Sequence, residues 1–353
     1  MKNSSSINKY TIIITTYNRY EYLKRLLKFY NKYNNQFNIL ILDSSSDKID
    51  NELSLLVKKK NIDHIKYPPS TFVFNKISDG SKFIKTPFVV ICADDDFVIP
   101  SAINKCIDFL DKNIDYSSAQ GMTYKHYINQ VDGEIKFIFK KSIANNLSIY
   151  NNDPVKRLSS YCKDHTISNS FYAVQRSKIF QKIWIESKNY SRDWAMSEFI
   201  PCALSLLHGK MKVLPIFYAS READQLKWYD DDKLIKMFSD DNCKLAVKGL
   251  VKQLHLISNI PSDDSQKKIS KLLGIYRSHA LKKKNMYFFI KKIKRAVYKF
   301  KNRLNKNNFA FQDINNIKTL YKSDYEKIQN SVLKSGDLKY LSIKTRTEYK
   351  NVK

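Results

Sequence analysis

The chain has 353 residues, 43% of them hydrophobic. That is enough to bury a sizeable core and to divide into roughly two domains, and it excludes a chain disordered throughout. The five cysteines (Cys92, Cys106, Cys162, Cys202 and Cys243) stand apart with no CxxC or CxH spacing. Neither a disulfide framework nor a zinc site is expected, and a reducing compartment fits. The formal net charge of +28 admits two sources: a polyanionic partner, or an AT-rich coding sequence, which by itself enriches Lys, Asn, Ile and Tyr.

Tyr10 to Thr15 is a β-branched run bounded by polar residues and reads as a buried strand. As an apolar stretch near the N-terminus it is too short for a signal segment. Tyr22, Leu23, Leu26, Leu27 and Tyr30 follow at the spacing of one helix face. Phe37 to Leu42 is a second apolar run, closed by the turn-forming Asp43-Ser-Ser-Ser46. A helix through Leu53, Leu56 and Val57, a short strand near Ile65 and a helical stretch from Asn75 to Ile84 come next. Phe88 to Ala93 is a third buried strand, ended by Asp94-Asp-Asp96. It is the longest remaining apolar run and far too short to span a bilayer, so no segment is expected to cross a membrane. Strands alternating with helices imply parallel βαβ units in a doubly wound sheet, whose ligands bind at the carboxyl ends of the strands. Thr15 to Arg19, Asp43 to Asp47 and Asp94 to Asp96 all fall at such ends.

Further along, Ile103, Ile107, Phe109 and Leu110 suit a helix after Pro100. Gly121 to Tyr150 alternates like a hairpin around Asp132-Gly133, and Ser168 to Val174 reads as a strand. Ser197 to Leu207 reads as a helix closed by Gly209, and Val213 to Tyr218 as another strand. Beyond about Leu226 the pattern turns helical and basic, which divides the chain into residues 1–225 and 226–353. There is no internal repeat.

Three consecutive acids after a six-residue buried strand suit one particular chemistry. When a nucleoside diphosphate leaves a sugar, its growing charge is neutralised by Mg²⁺ or Mn²⁺, which needs only a few carboxylates besides the phosphate oxygens. On their own such acids are more often a solvated turn.

Four landmarks then occur in order: Ile12 to Arg19 (IIITTYNR), Ile39 to Asp47 (ILILDSSSD), Asn75-Lys76 leading into Val89 to Asp96 (VVICADDD), and Ser197-Glu198 eleven residues before Gly209. Across Tyr10 to Arg221 the sequence resembles the family-2-like glycosyltransferases of GT-A fold. The resemblance implies a Rossmann-like, mostly parallel sheet flanked by helices, followed here by a helical C-terminal region. It implies an inverting, metal-dependent transfer of a sugar from a nucleoside diphosphate donor, UDP-type favoured, to a hydroxyl of a glycan or lipid-linked acceptor in surface polysaccharide synthesis.

Carried onto this chain, the resemblance gives Thr15, Thr16, Tyr17 and Asn75 to the nucleotide pocket, with Asp94 and Asp95. Asp96 becomes the principal ligand of Mn²⁺ or Mg²⁺, and Asp94 touches ribose or metal. Asp43 either hydrogen-bonds the base or ribose, or caps its own turn. Arg19 either meets phosphate or starts the following helix, and its position favours the helix start. An inverting transfer needs a carboxylate to take the acceptor proton. Glu198 matches the family's second acid, although Ser197 stands where the first would be, and Asp193 is the alternative. Trp194 stacks on the acceptor or belongs to the core. Arg221 follows a strand where the family often has a basic residue facing the diphosphate.

Between Ser265 and Gln312 stand fifteen Lys or Arg and no Asp or Glu, a clustering that composition alone does not produce. Within it Met286, Phe289, Ile290, Ile293, Val297, Phe300 and Leu304 form one apolar stripe. Residues 286–304 thus read either as a basic amphipathic helix on an anionic membrane surface or as a helix packed on the catalytic domain. A cytoplasmic protein, peripheral on the inner face of the plasma membrane, is expected; nucleic acid is disfavoured for want of a known module. Two other readings remain open. A nucleotidyltransferase-type enzyme also uses acids at strand ends, but commonly has an early Gly-rich loop, whereas here no Gly precedes Gly80. The other is a non-catalytic basic protein that binds RNA or membranes.

Overall fold

The β-branched run at the start forms β1 (Tyr10–Thr16), and its alternation decides the layering. Ile12 and Ile14 point to one side of the sheet and Ile13 to the other, all three fully buried, as a strand covered on both faces requires. In this computed structural model, the described residues are 8–33, 37–131, 134–141, 148–164, 170–190, 194–222, 240–258, 261, 263–278 and 318–333.

Parallel partners flank β1: β2 (Asn38–Asp43) pairs Ile13 with Leu40, and β4 (Phe88–Ala93) pairs Ile13 with Ile91. Outside β2 lies β3 (Ile62–Lys66), also parallel. The helices α1 (Tyr20–Tyr30), α2 (Asn51–Val57) and α3 (Val73–Gly80) connect these strands. The expected βαβ order is therefore present, with Asp43 and Asp94 at the carboxyl ends of the two strands on either side of β1.

The second half departs from a purely parallel sheet. After β5 (Phe97–Val98) and α4 (Pro100–Lys112), β6 (Tyr116–Val131) and β7 (Glu134–Lys141) form an antiparallel pair. The expected hairpin is thus present, and its Asp132-Gly133 connection lies outside the described residues. After α5 (Pro154–Asp164) comes β8, which is only Val174–Arg176. The expected strand over Ser168 to Val174 is corrected: Ser170 to Ala173 form a turn in which Ala173 N–H donates to Ser170 C=O at 3.1 Å. Phe171 and Ala173 are buried by that turn rather than by strand alternation. The strand β8 runs antiparallel to both β4 and β6.

Next come α6 (Ser177–Ser187) and α7 (Trp194–His208). The last strand, β9 (Lys210–Glu222), extends four residues past Tyr218, runs parallel to β6 and pairs antiparallel with β5. The sheet order is β3-β2-β1-β4-β8-β6-β9-β5, with β7 on β6.

The remaining described helices complete the two cores. One core holds Ile13, Leu40 and Ile91 with α3, α6 and α7, and continues into α8 (Asp240–Ser258) and α9 (residues 263–278). Tyr276 stacks obliquely on Phe199 at 4.3 Å between centroids. The other core holds Ile12, Ile14 and Val90 with α1 and α4, and takes in α10 (Lys322–Leu333), whose Tyr325 packs on Phe139. No helix among the described residues is long and apolar enough to cross a membrane. Residues 286–304 lie outside the described residues.

Candidate active site

At the carboxyl end of β1 the chain turns sharply through Asn18, which takes a positive φ of 50°. Its amide donates to Ser45 Oγ at 2.8 Å and its side-chain oxygen accepts from the Ser46 amide at 2.9 Å. These bonds fasten the β1 turn to the β2 turn. Thr15 and Tyr17 are half-buried there, and Thr16 is buried.

Asp43, fully buried, caps its own turn by accepting from the Ser45 amide at 2.7 Å. Its other oxygen accepts from Tyr20 O–H at 2.9 Å and Lys66 Nζ at 3.1 Å, with His64 Nε2 at 2.9 Å. Burial alone would raise the pKa of this carboxyl, but His64, Ser45 and Lys66 outweigh it and hold the group well below the usual carboxylate range. It is a fixed anion at neutral pH.

The three aspartates differ in their surroundings. Asp94 Oδ2 accepts from Thr16 Oγ1 at 2.8 Å, and its Oδ1 lies 3.2 Å from Arg19. Asp95 Oδ2 pairs with the same guanidinium at 2.7 Å. Asp96 reaches across to β9, where Arg221 Nε donates at 3.1 Å and the Glu222 amide at 2.9 Å. Asp94 and Asp96 are both buried, which pushes their pKa values up against the pull of Arg19 and Arg221 respectively. Arg19 also serves as the N-cap residue of α1 and lies over the Tyr22 ring at 4.2 Å. Arg19 thus stands at the helix start, without a side-chain cap hydrogen bond, while its guanidinium is turned to Asp94 and Asp95.

Two contributors escaped the sequence reading. Asn75 is exposed, whereas its neighbour Lys76 turns inward and is 2% exposed. Its Nζ donates to Thr16 C=O at 2.9 Å and Ser44 Oγ at 2.8 Å. Burial, opposed by Asp43 and Asp94, pushes its pKa down to about 8. The Asn-Lys pair was a landmark in the sequence, but the helical period alone did not say which residue faces the pocket. The second is Glu222, which joins Arg25 at 2.7 Å, while Arg25 also donates to Asp95 C=O at 2.9 Å. Nothing local to Glu222 signals a partner 197 residues earlier in the chain.

Glu198 is half-buried on α7, and burial raises its pKa while Arg221 opposes the rise. Arg221 is packed over the Tyr172 ring at 4.7 Å and feels both Asp96 and Glu198. Arg221 of β9 thus bonds Asp96 and is also within electrostatic reach of Glu198 on α7. Ser197 is buried, Trp194 is the first residue of α7, and Asp193 lies outside the described residues. No group of three or more His, Cys, Asp or Glu that could hold a metal by itself is present among the described residues.

A Rossmann-like parallel half-sheet, carboxylates at its strand ends and a mixed second half together define a GT-A glycosyltransferase. Residues 11–184 match the model of glycosyl transferase family 2, and this stretch is a family-2-like glycosyltransferase domain. Among solved structures it is similar to the crystal structure of S. aureus TarS 1-349, with a TM-score of 0.53, 14% identity, and 76% of this chain and 72% of that chain covered. The same fragment in complex with UDP-GlcNAc gives a TM-score of 0.53 at 14% identity, covering 76% and 73%. The longer S. aureus TarS structure gives 0.50 at 14% identity, with 76% of this chain but only 43% of that one covered. At such identity the likeness shows the fold. A comparison with curated proteins finds no match.

Proposed function

We propose that this glycosyltransferase moves a sugar from a nucleoside diphosphate donor, UDP-type favoured, to a hydroxyl of a glycan or lipid-linked acceptor, with inversion, in surface polysaccharide synthesis. The observation that carries the reading is the placement of Asp43 and Asp94 to Asp96 at the carboxyl ends of the two parallel strands that flank β1, with the buried Lys76 cation facing both Asp43 and Asp94. The S. aureus TarS fragment in complex with UDP-GlcNAc supports a UDP-sugar donor. Thr15, Thr16, Tyr17 and Asn75 line the nucleotide, Asp43 takes the base or ribose, and Lys76, Arg19 and Arg221 supply positive charge toward the diphosphate.

Two buried carboxylates with hard oxygens fit Mn²⁺ or Mg²⁺ when a diphosphate completes the coordination, and a protein-only cage is not needed. Asp96 and Asp94 are the residues that would hold the ion, whose chemistry is to neutralise charge on the departing diphosphate. The acceptor hydroxyl loses its proton to Glu198, or to Asp193, as its oxygen attacks the anomeric carbon and the nucleoside diphosphate leaves. Burial moves Glu198 toward the protonation range that a base working near neutrality requires. We retain the division at 225/226, an acceptor role for Trp194, and a peripheral location on an anionic inner membrane face as parts of this proposal.

The test is UDP release from UDP-sugars in the presence of Mn²⁺. Asp96→Ala is expected to lose roughly 100-fold or more, as removal of a charge-stabilising group does elsewhere, and Glu198→Gln to lose transfer while still binding UDP. Unchanged turnover in Asp96→Ala would remove the metal assignment. A second reading rests on the arginine already paired with each aspartate: full activity in EDTA would give the neutralising role to Arg19 and Arg221.

A further inference from the structure

Away from the aspartates, α8 carries more apolar surface than its core contact uses. Ala246, Leu250 and Leu254, spaced by four, are fully buried against the rest of the protein. Val247 and Val251, one position further round, are only half-buried and form the floor of a groove of about 650 Å³ with Leu273 of α9. That volume is within the range of small-molecule sites. Lys244, Lys248 and Lys252 run along one wall at the same spacing of four, all exposed, and Arg277 comes from the other. Gly274 sits in that wall, and a Cβ added there would meet nothing within 4 Å.

The sign of the groove is unbalanced. No Asp or Glu is among its described lining residues. Lys252 pairs with Glu186 at 3.2 Å and Lys244 with Asp241 at 3.8 Å, both at the surface, while Lys248 has no ion pair among the described residues. No aromatic ring is among its described lining residues, which therefore offer no stacking platform of the kind single-stranded nucleic acid uses. In the sequence Lys282 to Lys306 holds eleven further basic residues and no acid, charge that an anionic surface attracts as it attracts the lysine rim.

We propose that this groove binds an anionic phospholipid, with one acyl chain on the Val247–Val251–Leu273 floor and the phosphate on the lysine rim. It holds the enzyme on a membrane at a site separate from the donor pocket. The apolar floor selects a chain, the rim selects negative charge, and neither alone accounts for the combination.

The probe is monomeric lysophosphatidylglycerol below its micelle concentration, titrated calorimetrically into the full-length protein. Lysophosphatidylcholine and glycerol phosphate are the controls that remove the net charge and the chain. Wild type is expected to bind the lysophosphatidylglycerol at least about tenfold more tightly than either control. Gly274→Leu, which fills the groove, and Lys248→Glu are each expected to weaken that binding by about tenfold while leaving UDP release and melting temperature unchanged. Equal binding by Gly274→Leu would overturn the site, and so would glycerol phosphate competing as well as the lysolipid. Tighter binding of an RNA oligonucleotide or an acidic peptide to the same residues would replace the lipid with that partner. Since neither substituted residue belongs to the donor site, UDP release reports separately on the glycosyl-transfer reading.

Discussion

Glu222→Gln tests whether the end of β9 holds Asp95 and Asp96 in place. Glu222 is paired with Arg25, whose side chain is 2% exposed, and His126 lies 3.5 Å away on the other side, fully buried. Burial works against ionisation of Glu222, yet Arg25 and then His126 outweigh it and hold the pKa down at about 2, from an ordinary 4.5. At about 1.4 kcal/mol per pH unit, that drop corresponds to roughly 3 kcal/mol of stability at neutral pH. Because the folded pKa is depressed, the contribution is fully present above about pH 4.5 and is lost as pH falls toward 2. Gln mimics the protonated acid, so it should cost about the same at pH 7, lowering the melting temperature by about 4 °C.

The loss arises because Arg25 then keeps a buried charge without its counter-ion. Among the described residues its Nε and Nη1 have no acceptor, and its guanidinium faces the rings of Tyr22 at 4.9 Å and Phe97 at 5.1 Å. Removing both charges together, as Arg25→Met with Glu222→Gln, should therefore cost less than Glu222→Gln alone. Urea unfolding of the four members of this cycle at pH 7, repeated near pH 3, supplies the comparison. A Glu222→Gln protein within about 0.5 kcal/mol of wild type at pH 7 would refute the reasoning, because surface substitutions fall in that range. So would an equal loss in the Arg25→Met background.

Other outcomes follow from the same geometry. Lys76, with its pKa pushed down to about 8, is charged below that pH and neutral above it, so UDP affinity should fall between about pH 7 and about pH 9. Lys76→Met should bind UDP weakly with a flat profile over that range; an unchanged profile by calorimetry would show that the lysine does not serve the diphosphate. Gly209, between α7 and β9, has the Ser117 amide nitrogen 2.6 Å from where a Cβ would stand, and backbone cannot yield as a side-chain tip can. Gly209→Ala should destabilise by roughly 1–3 kcal/mol in urea unfolding; a neutral result would mean that the strand shifts freely at this turn.

The sequence by itself determined the parallel half of the sheet. Runs such as Tyr10 to Thr15 and Phe88 to Ala93 are uniformly apolar and β-branched, and only a strand covered on both faces accommodates them. It also placed Asp43 and Asp94 to Asp96 at strand ends, because the polar residues begin where the buried run stops. It predicted the pairing of β6 with β7, and missed the turn before β8, where burial by a tight turn and burial by a strand leave the same apolar residues. Only the tertiary structure decided what surrounds the aspartates. Asp96 takes its donors from Arg221 and the Glu222 amide 125 and 126 residues later, where β9 is carried past its apolar run by pairing with β5 and β6. Lys76 and Arg25 point inward against the ordinary preference of long cations for water. What reverses that preference is a set of carbonyls and carboxylates gathered from several strand ends, and such a set exists only once the sheet has closed over them.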